Sequence, residues 1–446
     1  MPGGQLWSTM SETSLQNNPK LEEPSGSGPK NERSALGWFG HLTNAERHAW
    51  FASFGGLGLD AMNQQAYALV LPSLILVMHL STAQAGTFAT AALVGGGLGG
   101  WAFGRLADLF GRIRMLQLTI LLVAISTFLS AFATTFWQLL VARSFQGIGY
   151  GGEAAVGAVL TSEIIRPMLR GRVTASVQSG YAIGYAIAVG FMAIVFHLFS
   201  EAIAWRVLFA LGILPVFFLI YIRRCVPESP LFEQTKRKAV SDHTKSHFSE
   251  IFRPPLLQRT AVATMLATAI FGAAYVQITW LPMYLRTVLH LNVTTTAGYL
   301  ILNILGSFVG PLLLGPISDR IGRRWSLILF LVSQAVAVGI FTMAPITHGT
   351  ASLLGFVVGL LQGGLASSML PAFAEIFPTQ ARGHGQGFCL SVGRGLGSLV
   401  PASVGVLAKT IPLGTAMGVC AIGSYAVAMA ATMLFPETVG KNLQDG

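Results

Sequence analysis

The sequence predicts an all-α membrane protein with twelve transmembrane helices in two pseudo-symmetric six-helix bundles. Three observations carry that prediction. Hydrophobic residues make up 52% of the 446 and charged residues only 10%, against about a quarter charged in a soluble protein. The apolar residues gather into twelve runs, each near the roughly 20 residues needed to cross a bilayer core of about 30 Å. The second six runs repeat the first at a near-constant offset.

Lipid offers the backbone no hydrogen bonds, so such runs must be helical. The spans are expected at 50–78, 83–106, 115–133, 137–161, 173–198 and 205–222, then at 259–285, 296–317, 326–344, 351–375, 385–408 and 414–435. The 51 glycines suit this setting, because Gly lets membrane helices approach closely. The domain order is then a disordered cytoplasmic tail (1–48), a first bundle (49–222), a cytoplasmic loop (223–258), a second bundle (259–435) and a cytoplasmic tail (436–446). Residues 1–33 are polar and charged, with no apolar stretch of the kind a cleaved signal peptide needs.

Charge placement sets the orientation. With the N-terminus inside, 23 of the 28 Lys and Arg residues fall in cytoplasmic segments. Three face outward, Arg206, Arg286 and Lys409, and two, Arg143 and Arg394, lie within spans. That split follows the positive-inside rule. The net charge of +10 is therefore a topology signal and not a nucleic-acid face. Cys225, Cys389 and Cys420 are far apart and make neither a metal site nor a disulfide framework, so they read as packing residues.

The repeat is visible in four places. Gly104-Arg-Leu-Ala-Asp108-Leu-Phe-Gly111-Arg112 recurs as Gly315-Pro-Ile-Ser-Asp319-Arg-Ile-Gly322-Arg323. Glu163 followed by Arg170-Gly171 recurs as Glu375 followed by Arg382-Gly383. Leu71-Pro72 recurs as Leu281-Pro282, and Pro227-Glu228-Ser229 as Pro436-Glu437-Thr438. Two parallel halves with a site between them make a transporter architecture that works by alternating access.

These loops, with Arg143-x-x-Gln-Gly147-x-Gly149, resemble the major facilitator superfamily over about residues 45–440. A finer resemblance is to its organic-acid proton symporters, especially the sialate:H⁺ symporter group. It rests on Gly151-Gly152-Glu153, Val177-Gln178-Ser179-Gly180, Pro227-Glu228-Ser229 and Gly385-Gln386-Gly387-Phe388-Cys389 leading to Gly393-Arg394. The resemblance implies that helices 1, 4, 5, 7, 8, 10 and 11 surround a central cavity, and that the protein is a monomer in the cell membrane. That group often has a second acid three residues after the helix 1 Asp. Here the position is Asn63, so a scheme needing two carboxylates on helix 1 does not apply.

Ionisable groups inside a membrane are costly and usually face a pathway. Asp60, Arg143, Glu153 and Arg394 stand near mid-span. Asp60, Asn63, Gln64 and Tyr67 share one face of helix 1. Arg143, Gln146, Tyr150 and Glu153 fall within an arc of roughly 80° on helix 4. Gln178, Tyr181 and Tyr185 on helix 5, and Tyr299, Asn303 and Ser307 on helix 8, form further polar stripes.

Proton coupling needs a group that gains and loses a proton near physiological pH, and a carboxyl group withdrawn from water meets that need. Asp60 and Glu153 are the candidates, with Arg143 tuning them by the family resemblance. The plainer alternative is a permanent Asp60–Arg143 ion pair joining helices 1 and 4. Arg394 suits a carboxylate, which a guanidinium grips with two parallel hydrogen bonds. The expected solute ligands are Arg394, Asn63, Gln64, Tyr67, Gln178, Tyr181 and Asn303. The loop residues Gly104, Asp108, Gly111, Arg112, Glu163, Arg170, Asp319, Arg323, Glu375 and Arg382 read as a gating network that holds the halves outward-open. The alternative is solvated charge fixing the topology.

The expected activity is secondary transport of a small organic acid, of monocarboxylate, sialate or aromatic type, in symport with protons. Carriage of a sugar or other neutral solute, or uncoupled facilitation, is the alternative. No phosphate-binding loop, zinc-protease motif or serine elbow is present, so an enzyme and an ATP-driven pump are not expected. No cofactor, metal or nucleic acid is expected either. His197 and the tryptophans Trp50, Trp137, Trp205 and Trp325 read as interfacial residues. Tyr275 and Trp280 read as packing, with contact to solute the alternative.

Overall fold

The computed structural model describes residues 37–40, 42–165, 167–226, 228, 251–254, 256–345, 347–377 and 382–435. The chain up to Thr43 is one unit, whose described part is a single helical turn, Gly37–Gly40. Asn44–Gly446 is the other unit and holds everything that follows.

The first six long helices are α1 Asn44–Met78, α2 Thr82–Phe110, α3 Arg112–Ser130, α4 Phe136–Ile164, α5 Pro167–Leu198 and α6 Glu201–Cys225. The second six are α7 Leu256–Thr287, α8 Val293–Ile321, α9 Arg323–Met343, α10 His348–Ile376, α11 (Arg382–Gly397 and Leu399–Leu407) and α12 Leu413–Met433. Every expected span is a helix, so the chain is an all-α, multi-pass membrane protein. Ten of these helices are long and apolar enough to cross a bilayer by length and composition alone. α2 and α4 fall short because glycines dilute both and because α4 carries Arg143, Gln146 and Glu153.

Local chemistry sets the ends. Ser81, Thr135 and Thr347 close capping boxes at the starts of α2, α4 and α10. Asn292 caps α8 through Thr295 N. The α2–α3 and α8–α9 corners turn on Gly111 (φ 103°) and Gly322 (φ 107°), a backbone region closed to most side chains. α6 is interrupted by a 3₁₀ turn at Leu211–Ile213, and α11 by Ser398.

Packing follows the repeat. α2 and α4 touch backbone to backbone: a Cβ on Gly95, Gly99, Gly147 or Gly151 would overlap Ser144, Ile148, Ala92 or Gly96. α8 and α10 do the same through Gly306, Gly310, Gly359 and Gly363. This is the small-residue contact by which membrane helices associate without a hydrophobic driving force. Large apolar residues such as Leu98, Trp101, Trp137 and Trp325 stay exposed on the outer surface of the bundles. Trp205, expected at an interface, is instead fully buried, with Arg206 stacked 4.1 Å from its ring centroid.

Both bundles present one end on the side where α1 begins and α12 ends, here the terminal face, and the other on the distal face. Among the described residues, every hydrogen bond and ion pair joining the bundles lies in the distal half. Thr82 Oγ1 donates to Gly405 O and Thr90 Oγ1 to Ser398 O, both at 2.8 Å. Arg286 of α7 pairs with Glu201 of α6. The protein is thus closed on its distal face.

Candidate functional site

α1 carries Asp60 into the interior, where it is 1% exposed, and α4 brings Glu153 to it at 3% exposure. Their carboxyl groups approach within hydrogen-bonding reach of each other. No nitrogen or hydroxyl donor among the described residues reaches either carboxyl oxygen of Asp60. Gly56, one turn before Asp60, makes room for this pair, because a Cβ there would overlap Glu153 Oε1. Two carboxyl groups this near each other and this far from water disfavour carrying two negative charges at once, so the pair is suited to holding a proton.

Arg143 lies nearly three turns before Glu153 on α4 and takes no part in an ion pair with Asp60 or Glu153. Its guanidinium stacks 4.5 Å from the Tyr67 ring centroid and bonds Gln146 Oε1. Gln146 Nε2 in turn donates to Asn63 O (3.0 Å) and Thr127 Oγ1 (2.8 Å). The permanent Asp60–Arg143 pair is not formed.

Arg394 sits on α11 where Gly395 meets Gly97 of α2. It is exposed, and among the described residues its guanidinium makes no hydrogen bond and no ion pair. It lies 5.1 Å from the ring centroid of Phe271 on α7, and Phe271 stacks on Tyr275 one turn later at 6.0 Å and 19°. Tyr150 of α4 and Tyr275 both feel its charge. Tyr150 belongs to the first bundle and Phe271 to the second, so the guanidinium stands between the bundles. Tyr181 of α5 joins the same aromatic group, and its hydroxyl bonds Gln65 Nε2 (3.0 Å) and Gln64 Oε1 (3.4 Å).

Three other expected solute ligands bond the backbone of neighbouring helices. Asn63 Nδ2 donates to Gly212 O in the α6 turn. Tyr67 Oη donates to Ala85 O of α2 at 2.5 Å. Asn303 Nδ2 donates to Gly355 O of α10 at 2.8 Å. All three donate a hydrogen bond inside one bundle in this conformation, while Asn63 Oδ1 has no partner among the described residues. Phe271 and Gln65 are additions, whose only sequence signal is polar or aromatic character in the middle of a span; Tyr150 lies on the helix 4 polar arc that the sequence predicts, and Tyr275, expected as packing, stands beside Arg394.

At the terminal face, Arg112 grips Glu163 with two bonds of 3.0 and 3.1 Å, and its backbone N–H donates to Glu228 at 3.0 Å. The repeat places Arg323 Nε 3.2 Å from Glu375. Each pair lies within one bundle. Gly104 has open space where a Cβ would be. The calls on Asp108, Arg170, Gln178, Asp319 and Arg382 concern side chains outside the described residues.

The chain matches the family model of the Major Facilitator Superfamily over residues 53–400 and 300–445. It is 34% identical over 407 residues to a protein of Cupriavidus pinatubonensis described as a probable 4-methylmuconolactone transporter, covering 90% of this chain and 93% of that one. It is 27% identical to the sialic acid transporter NanX of Escherichia coli, covering 88% and 95%. In fold it is similar to the inward open conformation of the xylose transporter XylE from E. coli, with a TM-score of 0.71, 20% identity and coverage of 89% and 98%. The duplicated bundles, the glycine seams and these matches together make the chain a transporter of the Major Facilitator Superfamily.

Proposed function

We propose that this transporter carries a small organic acid in symport with protons, with both termini in the cytoplasm. The observation that carries the reading is Arg394: a guanidinium between the bundles, free of any described partner and backed by an aromatic ring. A cation left unpaired in a membrane protein is unfavourable unless water or a ligand completes it. A carboxylate completes it with two N–H bonds. The Phe271–Tyr275 stack beside it offers a flat apolar surface, which favours a planar unsaturated or aromatic acid over a compact one. The names of similar proteins, among them a cis,cis-muconate transport protein of Acinetobacter baylyi, point the same way.

Asp60 and Glu153 are the proton carriers in this reading, and Tyr150 stands between them and Arg394. Closed distally, the protein is in its inward-facing state. The Lys/Arg asymmetry supports the orientation. Arg112–Glu163 and Arg323–Glu375 serve as the hinges of the terminal gate, holding each bundle's loop in the shape that meets its partner when the terminal face closes.

The test uses liposomes containing the protein and an internal pH dye. Benzoate, cis,cis-muconate, lactate, sialate and xylose are added outside under an imposed potential, with protein-free vesicles as the control for weak-acid leakage. Protein-dependent acidification with a carboxylate, lost in Arg394→Ala, supports symport. Uptake of xylose without proton movement overturns it.

A further inference from the structure

The distal closure contains one interaction unlike the rest. Among the described residues, Glu201 is the one acid at the distal ends of the helices. The three distal cations are Arg206, Arg286 and Lys409. Arg206 is engaged within its own bundle, donating to Ala131 O at 2.6 Å and Ala133 O at 3.2 Å. Arg286 alone reaches Glu201, and it does so across the bundle interface. Ser73 of α1, fully buried, completes the contact: it donates to Glu201 Oε2 at 3.3 Å and accepts from Arg286 Nη1 at 3.4 Å. Phe196 of α5 lies beneath the guanidinium, 5.5 Å away.

We infer that Glu201, Arg286 and Ser73 form a latch that sets the balance between the two faces of the transport cycle, whatever the solute. Three features support this. The triad joins α1 and α6 of one bundle to α7 of the other, so it breaks when the bundles part distally. The other cross-bundle bonds are single hydroxyl-to-carbonyl contacts, which water replaces with little loss once the face opens. Position 201 has no acidic counterpart in the repeat, and position 286 no basic one: the copies at offset 211 are Pro412 and Ile75. The halves are parallel, so a copy would stand on the same distal face; the latch is single there, and because it forms only when that face is closed it favours the distally closed state over the open one.

Arg286 is 12% exposed and Glu201 44%. A pair this accessible shifts a two-state population by roughly two- to fivefold, and not by the ten-thousandfold that would arrest the cycle. That is the range suited to a latch that must open at each turnover.

The experiment measures the distal distance directly. Spin labels go on Thr87→Cys of α2 and Lys409→Cys of α11, in protein with its three native cysteines replaced and reconstituted in lipid. Without solute the parent shows mainly the short distance. Glu201→Gln and Arg286→Gln should each raise the long-distance fraction about two- to fivefold relative to the short one. The double charge reversal Glu201→Arg with Arg286→Glu should return it toward the parent. Ser73→Ala should give a smaller shift in the same direction. Because Glu201 is partly exposed, its amide variant tests the latch even if an Arg286 variant is unstable. Unchanged distance distributions in Glu201→Gln, or a reversed pair no more closed than either single variant, overturn the proposal. A fall in thermal stability with unchanged distances also overturns it, by making the triad a packing contact only.

Discussion

The two bundles are copies in their scaffold and differ in their chemistry. The glycine seams of α2–α4 and α8–α10 match position for position, as do the Gly111 and Gly322 corners and the Arg112–Glu163 and Arg323–Glu375 pairs. At mid-membrane the copies part. The counterpart of Asp60 at offset 211 is Phe271, and those of Glu153 and Arg143 at offset 212 are Leu365 and Gly355. Arg394 in turn matches Ala182. The first bundle holds the acids and the second the free guanidinium, with Phe271 as its platform. Duplication kept what packs and turns each bundle, and divergence placed the buried carboxyl groups in one and the unpartnered guanidinium in the other; in the proposed function these are the proton and anion sites.

Removing the guanidinium should break this division hardest. Arg394→Ala should lower carboxylate uptake by about a hundredfold, and Arg394→Lys should recover little of it, since an ammonium cannot form the two-pronged grip. Radiolabelled uptake over a range of solute concentrations checks this. Next, a bulky residue in either glycine seam should harm both copies alike. Gly151→Leu and Gly363→Leu should each destabilise the protein by about 1–3 kcal/mol or block insertion, read as loss of monodisperse protein on heating.

The terminal ion pairs should separate the copies more finely. Among the described residues, Arg112 makes two bonds to Glu163 where Arg323 makes one to Glu375. Arg112→Ala should therefore cost about 1–3 kcal/mol and Arg323→Ala about half that, measured by thermal unfolding in detergent. The smallest effect is expected at His79 (φ 51°) and His290 (φ 52°), matched helix ends in the left-handed region. Replacing either with Gly should stabilise by about 0.5–1 kcal/mol in the same assay.

Much of the fold was legible in the sequence, because apolar runs and the fixed offset report directly on helices and duplication. The site was legible in part. Asp60, Glu153 and Arg394 stood out because ionisable groups inside a membrane are rare. Which neighbour each side chain meets was not. Consecutive residues on a helix differ by about 100°, so the polar face of α1 is wide enough to touch several helices. Asn63 meets α6, Gln64 meets α5 and Asp60 meets α4. Rotation of each helix about its axis decides this, and that rotation is set by the seams and not by local pattern. Phe271 left no trace in the sequence, and Tyr275 reads there as packing, because aromatic residues in an apolar span carry no charge signal. The latch left one trace, Glu201 as a solitary distal acid.

The central claim is that proton and anion sites are separate and lie in different bundles. The most direct test compares Asp60→Asn with Arg394→Ala in proteoliposomes, measuring proton-driven accumulation of a carboxylate and its exchange at equal internal and external concentration. The account predicts that Asp60→Asn loses accumulation and keeps exchange, while Arg394→Ala loses both. If Asp60→Asn still accumulates the carboxylate against its gradient, or if Arg394→Ala exchanges it at the parent rate, the division of labour between the bundles is contradicted.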